Sequence, residues 1–290
     1  MIYSIPGNYK ERPIAVIGAG TLGMRIALMM ATQGNEVRIY DISVEQQSKA
    51  IDFIQKQLPI LLDKHDTFHK GEVISFNDLA KAVENAWIIF EVIPEKLELK
   101  KDLFKELDRL VPDDTILASN SSSFPCSQFI EGVSENGKKR VVNIHFSMPP
   151  IQNAVEIMGS EFTERGVIKA LLEILPQYGG LVPFEVRKES VGFIFNRVWA
   201  AIKRECLEIV ASGISTPEEV DRIFMVNTGI PIGPFREMDM IGLDVILEIE
   251  EHYAMLNPHL PQDPRNLLRE YISEGKLGVK SGSGFYPYKF

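Results

Sequence analysis

Residues 13–41 constrain the fold more tightly than any other stretch. Ile14-Ala15-Val16-Ile17 is a short apolar run of the kind that fills a strand buried on both faces. It leads at once into Gly18-Ala19-Gly20-Thr21-Leu22-Gly23, a complete G-x-G-x-x-G. In such a turn Gly18 makes the tight bend, Gly20 lets backbone approach a pyrophosphate, and Gly23 lets the next helix pack closely on the strand. Residues 22–32 read as a helix, apolar almost all round, that stops at Gln33-Gly34-Asn35, a left-handed C-cap signal. The free N–H groups at its start, from Thr21 and Leu22 onward, face the turn and suit a diphosphate. A second strand, 36–40, ends in Asp41, about twenty residues past the turn, where a carboxylate can accept hydrogen bonds from both adenosine ribose hydroxyls. A glycine turn alone is common. Strand, turn, helix, strand and acid in register specify a dinucleotide site. Asp41 would meet a 2′-phosphate with like charge, and Ile42-Ser43-Val44 brings no arginine to receive one, so NAD is expected rather than NADP.

The whole chain narrows the remaining possibilities. Its 290 residues suit one large or two modest domains, and 45% hydrophobic content is enough for real cores. A formal net charge of −9 argues against nucleic acid, which wants a basic stripe. No apolar run approaches the roughly 18 residues of a membrane span. Residues 1–12 read as neither a signal nor a transit peptide, and Tyr288-Lys289-Phe290 is not a peroxisomal tail, so a cytosolic protein is expected. Cys126 and Cys206 lie far apart without metal-like spacing and read as buried free thiols. His65 and His69 are four apart, but no third ligand is evident, so they read as surface histidines and no metal is expected.

Along the chain, residues 44–65 read as helical and charged, broken or kinked at Pro59. Strands are expected at 72–76, 87–92, 115–118, 141–145, 153–157 and 182–186. Helices are expected after Asn77 or Asp78, over 95–110 with Leu97, Leu103, Phe104 and Leu107 inward, and over 164–178. Lys138-Lys139-Arg140 reads as a solvated loop end, with contact to an anionic substrate tail as the alternative. No strand pattern follows Ser190. Residues 192–213, 217–226, 235–252 and 264–274 read as helical, with Ser215-Thr216-Pro217-Glu218-Glu219 supplying cap, N1 proline and acidic first turn together. The expected architecture is an α/β, Rossmann-type doubly wound sheet domain (residues 1–189) followed by a smaller all-α domain (residues 190–290).

In open α/β sheets, ligands sit beyond the carboxyl ends of the strands. Three polar sets fall there: Ser119-Asn120-Ser121-Ser122-Ser123, His145, and Glu156 on the short strand after it. His145 and Glu156 are spaced like partners on adjacent strands. The carboxylate would fix the tautomer of the imidazole while the other ring nitrogen faces an alcohol and takes its proton.

These residues resemble those of the 3-hydroxyacyl-CoA dehydrogenases, including the 3-hydroxybutyryl-CoA dehydrogenases. The likeness runs from Gly18 to Tyr286. It includes the glycine turn, Glu91-Val92-Ile93-Pro94-Glu95 with Lys100, Ala118-Ser119-Asn120-Ser121-Ser122-Ser123, His145-Phe146 and Val155-Glu156-Ile157. It continues through Gly192-Phe193-Ile194-Phe195-Asn196-Arg197, Gly233-Pro234-Phe235, Asp239 with Gly242-Leu243-Asp244, and the run from Gly278 to Tyr286. The resemblance implies that His145 is the base and Glu156 its partner, that Ser122 and Asn196 hydrogen-bond the reacting oxygen, and that Glu95, Lys100 and Asn120 line the nicotinamide and its ribose. It also implies a homodimer paired through the helical domain, where Phe193-Ile194-Phe195, Val198-Trp199 and Ile223-Phe224-Met225 are apolar.

The departures fall on the substrate side. Met148 stands where the family has asparagine, the stretch from His145 to Glu156 is one residue short, and Gln57 stands where the family offers a serine to coenzyme A. Lys56 and Lys64 remain nearby as candidate contacts for that cofactor's phosphates. A short (S)-3-hydroxyacyl-CoA is therefore the expected substrate. A free hydroxy acid, as in the related gulonate and carnitine dehydrogenases, and a low-turnover nucleotide-binding protein like the related lens crystallins are the rivals.

Overall fold

The computed structural model describes residues 5–64 and 66–289, which divide into two compact units with the boundary between Ile194 and Phe195. The first unit is built on one eight-stranded sheet. Its strands are β1 (Ile14–Ile17), β2 (Val37–Tyr40), β3 (Val73–Phe76), β4 (Ile88–Glu91), β5 (Ile116–Ser119), β6 (Val141–Met148), β7 (Gln152–Gly159) and β8 (Val182–Val186). They lie in the order β3-β2-β1-β4-β5-β6-β7-β8, all neighbours parallel except β6 and β7. The order reverses direction at β1, where the crevice of a dinucleotide-binding sheet opens.

The helices of this unit are α1 (Thr21–Met30), α2 (Val44–Leu62), α3 (Leu79–Val83), α4 (Leu97–Leu110), α5 (Glu135–Lys138) and α6 (Arg165–Ile174). β1, β4 and β5 are buried along their full length, as the apolar runs of β1 and of the first three residues of β4 and β5 require. One core holds Ile26, Met29 and Met30 of α1 with Val16, Phe90 and Phe146. The other holds Phe104 and Leu107 of α4 with Ile17, Ile89 and Phe129. α1 is buried over most of its surface because it passes between sheet and α2, which explains its lack of a polar face.

Several expectations are corrected here. α2 is one unbroken helix: Pro59 sits in its last turn, and its carbonyl still accepts the Asp63 N–H at 3.0 Å, so only the bond to Gln55 is lost. Helix α6 stops at Ile174, and residues 175–177 tighten into a 3₁₀ turn at Pro176. Arg140 is no solvated loop end; it is 2% exposed, bonded to Asp108 at 2.7 Å and to the Thr115 carbonyl at 2.7 Å. His69 is exposed, as expected of a surface histidine, and bridges to Gln33 in an extended segment. His65 lies outside the described residues.

The second unit is helical: α7 (Phe195–Ala211), α8 (Pro217–Thr228), α9 (Pro234–Ile241), α10 (Leu243–Leu256) and α11 (Asp263–Ser273). The helix expected from residue 192 begins only at Phe195. The long helix expected over 235–252 is two, broken at Gly242, whose φ of +107° no other residue type adopts easily. Leu207, Phe235, Met238, Leu243, Ile246 and Leu268 form the core. Two buried aspartates tie it to the C-terminal loop. Asp221 accepts the Phe235 and Arg236 N–H groups at the start of α9 and the Tyr286 hydroxyl. Asp239 accepts the Phe285 and Tyr286 N–H groups and the Tyr288 hydroxyl.

Candidate active site

The glycine turn has the construction its sequence requires. Gly18 has φ +106°, and a Cβ there would stand 2.4 Å from the Val92 carbonyl oxygen. A Cβ on Gly23 would strike the Gly18 carbonyl. At Gly20 a Cβ would meet nothing within 4 Å, so the space above that residue is open to a ligand. The first N–H groups of α1 have no intrahelical partners and border this space. Asp41 is fixed beside it: Oδ2 accepts the Ala19 N–H at 2.7 Å and Oδ1 the Ser43 N–H at 2.8 Å. Each oxygen keeps a lone pair for a ribose hydroxyl. The open glycine, the helix start and the anchored carboxylate fit a dinucleotide.

Further along the strand ends, Glu95, Lys100, Asn120 and Ser122 line one cavity of about 240 Å³, together with Glu91, Ser121 and Ser123. Lys100 is 1% exposed, and its ammonium contacts Glu91 at 2.8 Å and Glu95 at 3.1 Å. Asn120 is tied to the next strand, its Oδ1 accepting the Phe146 N–H at 2.9 Å. The Ser122 hydroxyl makes no hydrogen bond among the described residues, whereas its carbonyl accepts the Gly192 N–H at 3.0 Å. A larger cavity of about 690 Å³ lies between α2 and β3, lined by Ile54, Leu58 and Val73, away from these groups.

His145 and Glu156 are direct partners across the antiparallel β6–β7 ladder. Direct partners place side chains on the same face, and here Nδ1 lies 3.0 Å from Oε2. A proton on Nδ1 satisfies this contact and leaves Nε2 bare. The other carboxylate oxygen of Glu156 accepts the Ile194 N–H at 2.7 Å, and the Phe193 ring lies 5.1 Å from the imidazole. Phe193 has φ +52°, a left-handed conformation rare for a bulky residue. The segment read as the start of a helix is instead a strained clamp on the pair, which takes Phe193 out of any exposed apolar face.

Sequence reasoning missed this clamp and the buried Glu91. The signals were a glycine before Phe193 and an acid closing the apolar run Ile88-Ile89-Phe90. Asn196 lies in the first turn of α7, in the helical unit. Lys56 is exposed on α2 and Lys64 just past its end; neither has an ion pair among the described residues. Among the described residues there is no group of three metal-ligating side chains and no helix long and apolar enough to cross a membrane.

Strand β6 runs on to Met148 and β7 starts at Gln152, so His145 and Glu156 lie within their strands and not at the ends expected from sequence. Sheet order, glycine turn and this buried histidine–carboxylate pair define a dinucleotide-dependent dehydrogenase fold. The sequence profile of the 3-hydroxyacyl-CoA dehydrogenase NAD-binding domain matches residues 13–190, and that of the family's C-terminal domain matches residues 192–288. The chain belongs to the 3-hydroxyacyl-CoA dehydrogenase family, a family of NAD-dependent oxidoreductases. It is 35% identical over 285 residues to the probable 3-hydroxybutyryl-CoA dehydrogenase of Bacillus subtilis, covering 96% of this chain and 98% of that protein. It is 31% identical over 286 residues to the 5-formyl-3-hydroxy-2-methylpyridine 4-carboxylate 5-dehydrogenase of Mesorhizobium japonicum, covering 96% and 91%. The crystal structure of the (S)-3-hydroxybutyryl-CoA dehydrogenase of Ralstonia eutropha superposes with a TM-score of 0.83 at 28% identity, over 97% of this chain and all of that one.

Proposed function

We propose that the enzyme oxidises a short-chain (S)-3-hydroxyacyl-CoA to the 3-ketoacyl-CoA, with His145 as the acid–base group. NAD, when bound, accepts the hydride from the carbinol carbon. His145 takes the hydroxyl proton on Nε2, the nitrogen that Glu156 leaves bare, and the Glu156 carboxylate supports the imidazolium that forms. Ser122 and Asn196 donate to the reacting oxygen as it becomes a carbonyl. Glu95, Lys100 and Asn120 form the wall against which the nicotinamide ribose rests, and Asp41 holds the adenosine ribose. Lys56 and Lys64 offer charge to the coenzyme A phosphates.

The observation that carries this reading is the His145–Glu156 contact, buried to 8% and 5% exposure in the same unit as the dinucleotide turn. Names of relatives support the thioester and the short acyl chain. The same reading places the enzyme in the cytosol, where free thiols such as Cys126 and Cys206 stay reduced, and makes it a homodimer through exposed apolar residues of α7 and α8. The test follows NADH with acetoacetyl-CoA, longer 3-ketoacyl-CoA esters and free hydroxy acids, on one enzyme preparation. Turnover is expected to be fastest with the short thioester. An enzyme inert toward acetoacetyl-CoA yet active on a free hydroxy acid overturns the reading.

A further inference from the structure

Among the charged groups of this cavity, Glu91 is the one that the reaction as described does not use. Glu91, the last residue of β4, is fully buried. Its Oε1 accepts the Lys100 ammonium at 2.8 Å and the Ile93 N–H at 2.9 Å, and its Oε2 accepts the Ser119 hydroxyl. Lys100 reaches from α4 and also touches Glu95, whose other oxygen accepts the Ser121 hydroxyl and the Ser123 N–H. Glu91 therefore joins the ends of two strands and the first turn of α4. A buried ion pair of this kind adds little to stability relative to apolar residues of the same volume, because desolvation offsets the attraction. What it fixes is position.

We infer that Glu91 is a positioning residue for the coenzyme: by holding the Lys100 ammonium against the cavity wall, it sets the affinity for the nicotinamide half of NAD. This rests on the reading of Lys100 as a residue that lines the nicotinamide ribose. Glu91 competes for Lys100 with Glu95, whose side chain is 39% exposed. With Glu91 neutral, the ammonium swings toward Glu95 and solvent, and Glu95 is drawn away from Ser121 and Ser123. The floor under the ribose then loosens while the glycine turn and the His145–Glu156 pair stay intact.

The experiment is a double-mutant cycle read by NADH fluorescence titration, which needs no substrate and so does not depend on the thioester assignment. Glu91→Gln is expected to weaken NADH binding about tenfold and to raise the KM for NAD more than that for the acyl substrate. Lys100→Met should weaken binding at least as much. Glu91→Gln/Lys100→Met should be no worse than Lys100→Met alone, because Glu91 acts through Lys100. Asp114→Asn, which removes the anionic partner of Arg12 elsewhere in the unit, provides the control and should lower Tm without changing Kd. If Glu91→Gln lowers Tm but leaves Kd unchanged, or if the two losses add, Glu91 is only structural and the inference fails while the Lys100 assignment stands. If Lys100→Met binds NADH like the parent, that assignment fails and takes the inference with it. Should Glu91→Gln not fold, Ser119→Ala, which removes one donor and keeps the charge, must still raise Kd.

Discussion

Glu156 is fixed through both of its oxygens, one by the imidazole of His145 and one by the Ile194 N–H. The carboxylate cannot turn away from the histidine without breaking a second bond. His145→Gln should therefore leave NADH binding intact and lower kcat about 10²–10⁴-fold, the range for a general base; near-normal turnover would move the base elsewhere. Glu156→Gln keeps the shape and removes the charge, so it should lower kcat with little change in Kd for NADH. The two thiols give a pH test of burial. Loss of solvation pushes Cys126 up to about 12 and Cys206 up to about 11, from an ordinary 9.0. An unfolded chain releases these protons above about pH 9, whereas the folded chain retains them. Their stabilising contribution is full below that pH and is lost as pH rises through 11 to 12. The Cys126→Ala/Cys206→Ala variant should lose less stability than the parent between pH 9 and 11, measured by urea unfolding. Equal loss would mean that the thiols titrate freely.

At the scale of elements, α9 depends on a side chain from another helix. Gly233 and Pro234 provide no capping oxygen, and Asp221 of α8 accepts the Phe235 and Arg236 N–H groups instead. Asp221→Ala would leave those donors and the Tyr286 hydroxyl without their acceptor in a site 3% exposed. The expected cost is about 3 kcal/mol, seen as a lower urea midpoint; a loss below about 0.5 kcal/mol would show that water replaces the carboxylate. Such a cap is invisible to local pattern because its two halves are more than a dozen residues apart. The same logic separates what was legible from what was not. The β1–α1–β2 turn and Asp41 are local, and the periodicity of β1, β4 and α4 is a property of consecutive residues. The His145–Glu156 pair was legible because a hairpin register is nearly local. Arg140 and the Phe193 clamp were not, since each is defined by partners on distant elements, and neither was Glu91, an acid buried at the end of an apolar strand by the packing around it. Gly242 could have been read as a helix break, but the helical pattern on either side of it concealed the positive φ.

At the scale of the whole molecule, the helical unit keeps apolar side chains in water that its own core does not cover. Phe195 and Val198 lie one turn apart on α7, and Ile223 and Val226 one turn apart on α8; they are 51%, 52%, 61% and 78% exposed. Apolar residues at helical spacing on an outer face mark a surface for another protein. A second copy of this chain is the partner proposed. In a twofold pairing each subunit brings the same patch, so every buried side chain counts twice. Burying a Val or Ile that would otherwise face water contributes about 1.5–3 kcal/mol, and two pairs per subunit are enough to offset much of the cost of association. Sedimentation equilibrium at micromolar concentration should give twice the chain mass. Ile223→Glu places a charge in the patch while leaving the core of the unit untouched, since Ile223 is exposed, so it should shift the equilibrium toward monomer without changing Tm at low concentration. A parent protein that sediments as a monomer would refute the pairing, and a variant that remains fully dimeric would place the interface on another face.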